Sequence, residues 1–254
     1  EGADSLPQDD TNLTYQAARM LGKRIGYRGH WHLRQRNRIP LARGMGSSSA
    51  AIVGGIVAAQ AALHSSLDRE NALEIAIQIE GHADNVAPAL LGGLTVCFDR
   101  RDGSRAALSL PAPQGLVAVV AVPDYEVSTT GARAALPAQV PYQDAVFNLS
   151  QTAATVAALT TGRYDLLADT MRDRLHQSYR AHLVPGMDEV FEAATAAGGR
   201  GAVLSGSGST IIALTEPSHA EQVQAAMRQA CSARNGQCVT MILPFDNQGA
   251  RVVN

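Results

Sequence analysis

One twelve-residue segment, Pro40-Leu-Ala-Arg-Gly-Met-Gly-Ser-Ser-Ser-Ala-Ala51, constrains this chain more than any average property does. Gly44 and Gly46 permit positive φ and close approach of the backbone to a neighbour or a ligand. Ser47, Ser48 and Ser49 put hydroxyls at the start of a small-residue helix expected over residues 47–63. First-turn N–H groups, the helix dipole and those hydroxyls converge there, a setting suited to phosphate oxygens. A serine-capped turn without a ligand explains the composition equally well, but the segment also follows an alternating stretch. In residues 30–39, Trp31, Leu33, Gln35, Asn37 and Ile39 point one way and His30, His32, Arg34, Arg36 and Arg38 the other. That period of two predicts a half-buried strand with a basic face. With no aromatic side chains interleaved among the arginines, the face reads as solvated surface rather than an RNA or phosphate contact.

Composition removes the commonest phosphate chemistries. Lys23 is the only lysine among 21 basic residues, so neither the Gly-Lys-Ser/Thr end of a Walker A loop nor the strand lysine of a protein kinase can be present. A phosphate here must be held by backbone amides, hydroxyls and a helix terminus. The formal net charge of −2 gives no global attraction for nucleic acid or an anionic membrane. The longest weakly polar stretch, residues 50–63, is interrupted by Gln60 and is shorter than the roughly 18 to 20 residues of a membrane span. The 254 residues, 46% hydrophobic and 17% charged, suffice for one or two packed domains. Cys97, Cys231 and Cys238 are odd in number and match no metal or disulfide framework, and residues 1–10 carry no basic leader; both fit a reducing cytoplasm.

Along the chain, Asn12 and the polar residues before it are N-cap candidates for a helix carrying Leu13, Ala17, Met20 and Leu21 on one side. A helix over residues 68–80, a strand over 92–98 and a polar turn over 99–104 follow. A Pro-rich joint at 111–114 is the expected domain boundary, giving domains of residues 1–113 and 114–254. Beyond it the order is a strand over 116–122, helices from 129 and over 141–161, short helices, a helix over 187–197, strands near Ala202 and Ile211, a helix over 217–234 and a strand over 237–243. Segregated strands and helices predict an α+β protein.

Three further segments carry chemistry. Glu80-Gly-His-Ala-Asp-Asn85 gathers two carboxylates, an imidazole and an amide just after a helix, a set suited to Mg²⁺ and a hydroxyl substrate; the alternative is a polar loop in which Asp84 caps the next helix. Gly201-Ala-Val-Leu-Ser-Gly-Ser-Gly-Ser-Thr210 is either a second phosphate-side glycine loop or a hairpin between two strands. Arg133 and Arg180 each offer a guanidinium fork for a carboxylate, and Arg133, after Ser128-Thr129, is expected near a helix N-terminus that also favours anions.

The run Pro-x-x-x-Gly-x-Gly-Ser-Ser-x-Ala, with Met45 where leucine is usual, resembles the ATP-binding motif of the GHMP kinases. The segment 201–210 resembles that family's C-terminal glycine-rich motif, with Ser209 where proline is common, a departure expected to loosen the turn. Residues 80–93, 122–137 and 175–186 are similar to the homoserine kinase branch. The resemblance implies a two-domain fold, an N-terminal ribosomal-protein-S5-like nucleotide domain and a C-terminal ferredoxin-like α/β plait. It also implies phosphorylation of the L-homoserine side-chain hydroxyl by ATP with Mg²⁺, on the way to threonine.

It assigns ATP to Pro40, Arg43, Gly44, Met45, Gly46, Ser47, Ser48, Ser49 and Ala50, the metal to Ser48 and Glu80, and the reacting hydroxyl to Asp84 and Asn85. His82, Thr129, Arg133, Arg180 and Gly206 fall to the substrate side. Members of the family carry a further motif upstream of the region matching Glu1, so the first domain is expected to be truncated at its start, with loss of activity. The partners expected are ATP and homoserine, with no nucleic acid or membrane; a homodimer is the assembly left open. Another GHMP small-molecule kinase and a catalytically inactive sensor are the competing readings.

Overall fold

A computed structural model describes residues 6–253, apart from the side chains of Thr129 and Asn235. Ten helices and six strands occur among them: α1 Leu13–Arg24, α2 Ser47–Ala62, α3 Arg69–Glu80, α4 Val86–Leu91, β1 Leu94–Asp99, β2 Arg105–Leu110, β3 Val117–Pro123, α5 Thr129–Ala134, α6 Tyr142–Thr161, α7 Leu167–Thr170, α8 Gln177–Arg180, α9 Met187–Ala196, β4 Gly201–Leu204, β5 Ile211–Thr215, α10 Ala220–Asn235 and β6 Cys238–Leu243. They fall into two compact units. One comprises residues 6–39, Gly46–Ala112 and 246–253; the other comprises Pro40–Met45 and Pro113–Phe245. The glycine-serine segment is therefore shared, changing unit between Met45 and Gly46.

The first unit is built on α1 to α4. Asn12 starts α1 by accepting the N–H groups of Thr14 and Tyr15, and Asp68 starts α3 by accepting that of Asn71, so both helices begin where an Asx side chain satisfies orphan donors. Leu21, Ile52, Ile56 and Ile75 are completely buried among these helices, each worth about 1.5 to 3 kcal/mol. Met20, expected on the apolar side of α1, is 37% exposed and so only partly covered. Helix α2 crosses α1 closely: a Cβ on Gly55 would lie 2.3 Å from the Thr14 carbonyl oxygen.

Strands β1 and β2 form an antiparallel hairpin with Leu94 opposite Leu110 and Asp99 opposite Arg105. Only β1 was expected. In β2 Ala106, Leu108 and Leu110 share one face, but the alternation spans only six residues and its burial is uneven, Ala106 being buried and Leu108 53% exposed, so it marks the strand weakly. The expected strand over residues 30–39 keeps its alternation, Trp31, Leu33, Gln35, Asn37 and Ile39 being the more buried set. It nevertheless joins no ladder among the described residues, because side-chain alternation needs only one covered face whereas a strand also needs a backbone neighbour.

The second unit is an antiparallel sheet of order β4-β5-β3-β6. Strand β3 is central, pairing with β5 (Val119 opposite Ala213) and β6 (Val119 opposite Ile242). Val119 and Ala121 face α9 and α10 through Val190, Ala194, Val223 and Met227. Ala118 faces the other way, towards Ala158 of α6 and Leu167 of α7. With both faces and both edges covered, β3 reads as an unbroken apolar run. Together the two units make the expected α+β architecture, and no helix is long and apolar enough to cross a membrane among the described residues.

Candidate active site

In the first unit the site is set by two helix ends. Gly46, at φ +69°, is the N-cap of α2 and brings no side chain to the orphan N–H groups of the first turn. At the far end of α3, Gly81 takes a left-handed φ of +86° and caps the helix through its N–H to Ile77, which turns the chain just after Glu80. The Glu80 carboxylate, only 10% exposed, is thereby delivered to the start of α2, where its Oε1 accepts the hydroxyls of Ser48 at 2.7 Å and Ser49 at 2.8 Å. His82 Nε2 stands 4.0 Å from that same oxygen, and His82 Nδ1 is hydrogen-bonded to Asp84. Asp84, 73% exposed, is thus tied to His82 rather than capping α4; Asn85 holds the N-cap position but makes no side-chain capping bond. Arg105 of β2, which no motif singled out, braces the turn by donating to the Gly81 carbonyl at 2.6 Å.

Three side-chain oxygens therefore meet at an uncapped helix terminus. Hard oxygen donors in small number fit Mg²⁺, which keeps waters and phosphate oxygens in its shell rather than filling it with protein ligands. No group of three His, Cys, Asp or Glu side chains able to hold a metal occurs among the described residues.

In the second unit Gly44, at φ +74°, packs against the glycine-rich segment: its Cβ would sit 2.2 Å from the Ser205 carbonyl oxygen, which only glycine avoids. Ser205 Oγ donates to the Gly44 carbonyl at 2.8 Å, and the Thr210 N–H donates to the Arg43 carbonyl at 3.0 Å. The Arg43 guanidinium is engaged with the Pro123 carbonyl at 2.7 Å and, more distantly, with Asp124. Residues 201–215 form the β4–β5 hairpin. Ser209 does not loosen its turn. It is completely buried, and its hydroxyl donates to the Tyr125 carbonyl at 2.8 Å, replacing the rigidity of a proline with a tether. The Tyr125 phenol oxygen is buried with no hydrogen-bond partner among the described residues, and burial, then the nearby Cys231 and Cys238, pushes its pKa up to about 12.

Arg180, the last residue of α8, donates through Nε to the Ala132 carbonyl at 3.0 Å and through Nη1 to the Gly206 carbonyl at 3.4 Å. Burial, opposed by Asp173 and reinforced by the neighbouring Arg133, lowers its pKa. Arg133 is exposed and lies in the last turn of α5, contrary to the expected place by a helix N-terminus. The helix is only six residues long, because Ser128 starts it by accepting the Gly131 N–H and Ala135 ends it. Thr129 opens α5, and its side chain lies outside the described residues. Arg133, Arg180 and Gly206 thus share one region of this unit, whereas Glu80, His82, Asp84, Ser48 and Ser49 share one region of the other.

An uncapped, serine-lined helix start fed by a glycine turn, with an acid held against it, defines a phosphate-handling fold. Family models match in the same places, the GHMP kinase N-terminal domain over residues 12–93 and the GHMP kinase C-terminal domain over residues 155–233. The chain belongs to the GHMP kinases. Within that family it is 45% identical to the homoserine kinase of Desulfitobacterium hafniense over 98% of this chain and 84% of the relative, and 43% identical to that of Moorella thermoacetica over 100% and 85%. The crystal structure of homoserine kinase from Cytophaga hutchinsonii superposes with a TM-score of 0.87 at 30% identity, covering 98% of this chain and 81% of that one.

Proposed function

We propose that this chain transfers the γ-phosphoryl group of ATP to the side-chain hydroxyl of L-homoserine, with Mg²⁺ as the accompanying ion. The hydroxyl oxygen forms the new P–O bond, the bond from the γ-phosphorus to the β–γ bridging oxygen breaks, and ADP, O-phospho-L-homoserine and a proton are released. The product belongs to threonine synthesis, and a cytoplasmic setting fits an ATP-dependent step and three cysteines that form no disulfide among the described residues. One observation carries the reading beyond the kinase class: Ser48, Ser49 and Glu80 converge at the α2 terminus of a chain more than two-fifths identical to homoserine kinases.

Phosphoryl transfer asks a protein mainly for positioning and charge neutralisation. Residues 40–50 hold the nucleotide through backbone amides and the serine hydroxyls; Arg43 contributes backbone, since its guanidinium is committed elsewhere. Ser48 and Glu80 would hold Mg²⁺, with Ser49 keeping the carboxylate in place; the bound ion neutralises charge on the phosphate oxygens. Asp84, fixed through His82, and Asn85 orient the acceptor hydroxyl, and the loose transition state requires little of a base. Arg133 and Arg180 hold the amino-acid carboxylate, with Thr129 and the Gly206 segment beside it.

ADP release with homoserine, threonine, mevalonate and galactose as acceptors, with phosphorus NMR of the product, tests the proposal. Homoserine should exceed every other acceptor by roughly hundredfold in kcat/KM. Turnover of a different alcohol in its place, or nucleotide binding without turnover of any, overturns it.

A further inference from the structure

The segment that delivers Arg180 is anchored before it reaches that residue. Asp173 accepts the side-chain amide of Asn148 from α6 at 2.6 Å and the N–H groups of His176 at 2.8 Å and Gln177 at 2.6 Å, which fixes the start of α8. Buried Gln177 in turn accepts the Leu204 N–H at 2.7 Å, tying α8 to the end of β4. His176 lies half-buried between Asp173 and Arg180, with its Nδ1 3.3 Å from Arg180 Nη1.

A guanidinium has donors only, so that contact is a hydrogen bond only while Nδ1 carries no proton. The ring is then neutral, with its proton on Nε2. The charged groups facing it are Asp173 and Arg180: burial lowers its pKa first, Arg180 lowers it further, and Asp173 opposes them. Arg180 Nε and Nη1 therefore rest on the Ala132 carbonyl, His176 Nδ1 and the Gly206 carbonyl, while Nη2 has no partner among the described residues. We infer that neutral His176 is a positioning residue: it sets the rotation of the Arg180 guanidinium so that Nη2 is presented to the substrate carboxylate. This rests on the proposal that Arg180 binds that carboxylate. It assigns to His176 the preorganisation that a long, rotatable arginine lacks by itself. Protonation would turn an Nδ1–H towards the guanidinium, setting donor against donor and cation against cation.

Steady-state kinetics of the full chain at saturating ATP tests this with Arg180→Ala, His176→Phe and His176→Asn. Arg180→Ala should raise the homoserine KM at least roughly tenfold. His176→Phe, which keeps the ring and removes the acceptor, should raise it roughly three- to tenfold with kcat and the ATP KM changed by less than about twofold. His176→Asn, whose Oδ1 can stand where Nδ1 stood, should return the homoserine KM to within about twofold of the parent. In the parent the homoserine KM should climb as the pH falls below the ordinary histidine value of about 6.5, and in His176→Asn that rise should be absent.

An unchanged homoserine KM in folded His176→Phe, or a persisting acid rise in His176→Asn, while Arg180→Ala is impaired, overturns the role of His176 and leaves that of Arg180 standing. An Arg180→Ala enzyme with an unchanged homoserine KM overturns the carboxylate assignment and this inference with it. If His176→Phe does not fold, the pH profiles of the parent and His176→Asn decide.

Discussion

Glu80 receives two hydroxyl donors on one oxygen and is nearly enclosed, an acceptor role that the amide oxygen of glutamine can also fill. Glu80→Gln keeps the shape but removes the charge a divalent cation needs. Turnover at saturating ATP and limiting Mg²⁺ should fall by roughly a hundredfold or more, while circular dichroism and the folded fraction stay near the parent's. Near-parental turnover would take Glu80 out of the metal's surroundings. Arg133 differs because it is exposed and its side chain makes no hydrogen bond or ion pair among the described residues. Arg133→Ala should therefore be close to neutral for stability but raise the homoserine KM roughly ten- to a hundredfold, the loss expected of about 1.5 to 3 kcal/mol of charge-assisted bonding. An equal rise in the ATP KM would argue against a carboxylate contact. At this scale the identities of Ser48, Glu80, Asp84 and Arg180 were legible as a motif. Their partners were not: Asp84 bonding to His82, Ser209 tethered to Tyr125, and His176 accepting from Arg180 all depend on where separate elements end.

At the scale of elements, α1 and α2 illustrate how small residues substitute for a long apolar stripe. The six alanines and two glycines of α2 give it little side-chain bulk, and it gains burial by approaching α1 until backbone nearly touches backbone. Gly55→Val should force the helices apart at Thr14 and cost about 1 to 3 kcal/mol, read as a lower unfolding midpoint in denaturant. Gly54→Val on the exposed side, where a Cβ meets nothing within 4 Å, should instead be close to neutral or stabilising by a few tenths of a kcal/mol, roughly the helix-propensity advantage of valine over glycine. Equal costs at the two positions would contradict the close-approach account. The helices were readable because caps and periodicity are local properties. Strand β2 and the absence of a ladder for residues 30–39 among the described residues were not, because a strand is defined by its neighbour in space and the alternation of side chains carries no information about that neighbour.

For the whole molecule, a nucleotide that binds only the folded chain stabilises it by mass action, about 2.7 kcal/mol at a hundred times its dissociation constant. For a chain of this size that corresponds to a rise of roughly 5 to 10 °C in thermal midpoint with ATP and Mg²⁺. Chelating the metal should abolish at least about half of the rise in the parent and leave the smaller rise of Glu80→Gln nearly unchanged. A rise independent of metal in both proteins would separate nucleotide binding from the Ser48–Glu80 cluster.

At the same scale lies the division between what sequence and tertiary structure each decided. The sequence by itself determined the helix starts, the glycine turns, the α+β class and the family, because capping, positive φ and motif spacing are written within a few residues of one another. It also excluded lysine-based phosphate chemistry by carrying one lysine. Only the tertiary structure decided that the glycine-serine segment changes units between Met45 and Gly46, that residues 246–253 return to the first unit by pairing the Ala250 N–H with the Ala89 carbonyl, and that Asp173 and His176 stand behind Arg180. Each of these joins positions that nothing local connects: a long-range contact is selected by the packing of the whole, and the residues that make it carry no mark of their partner.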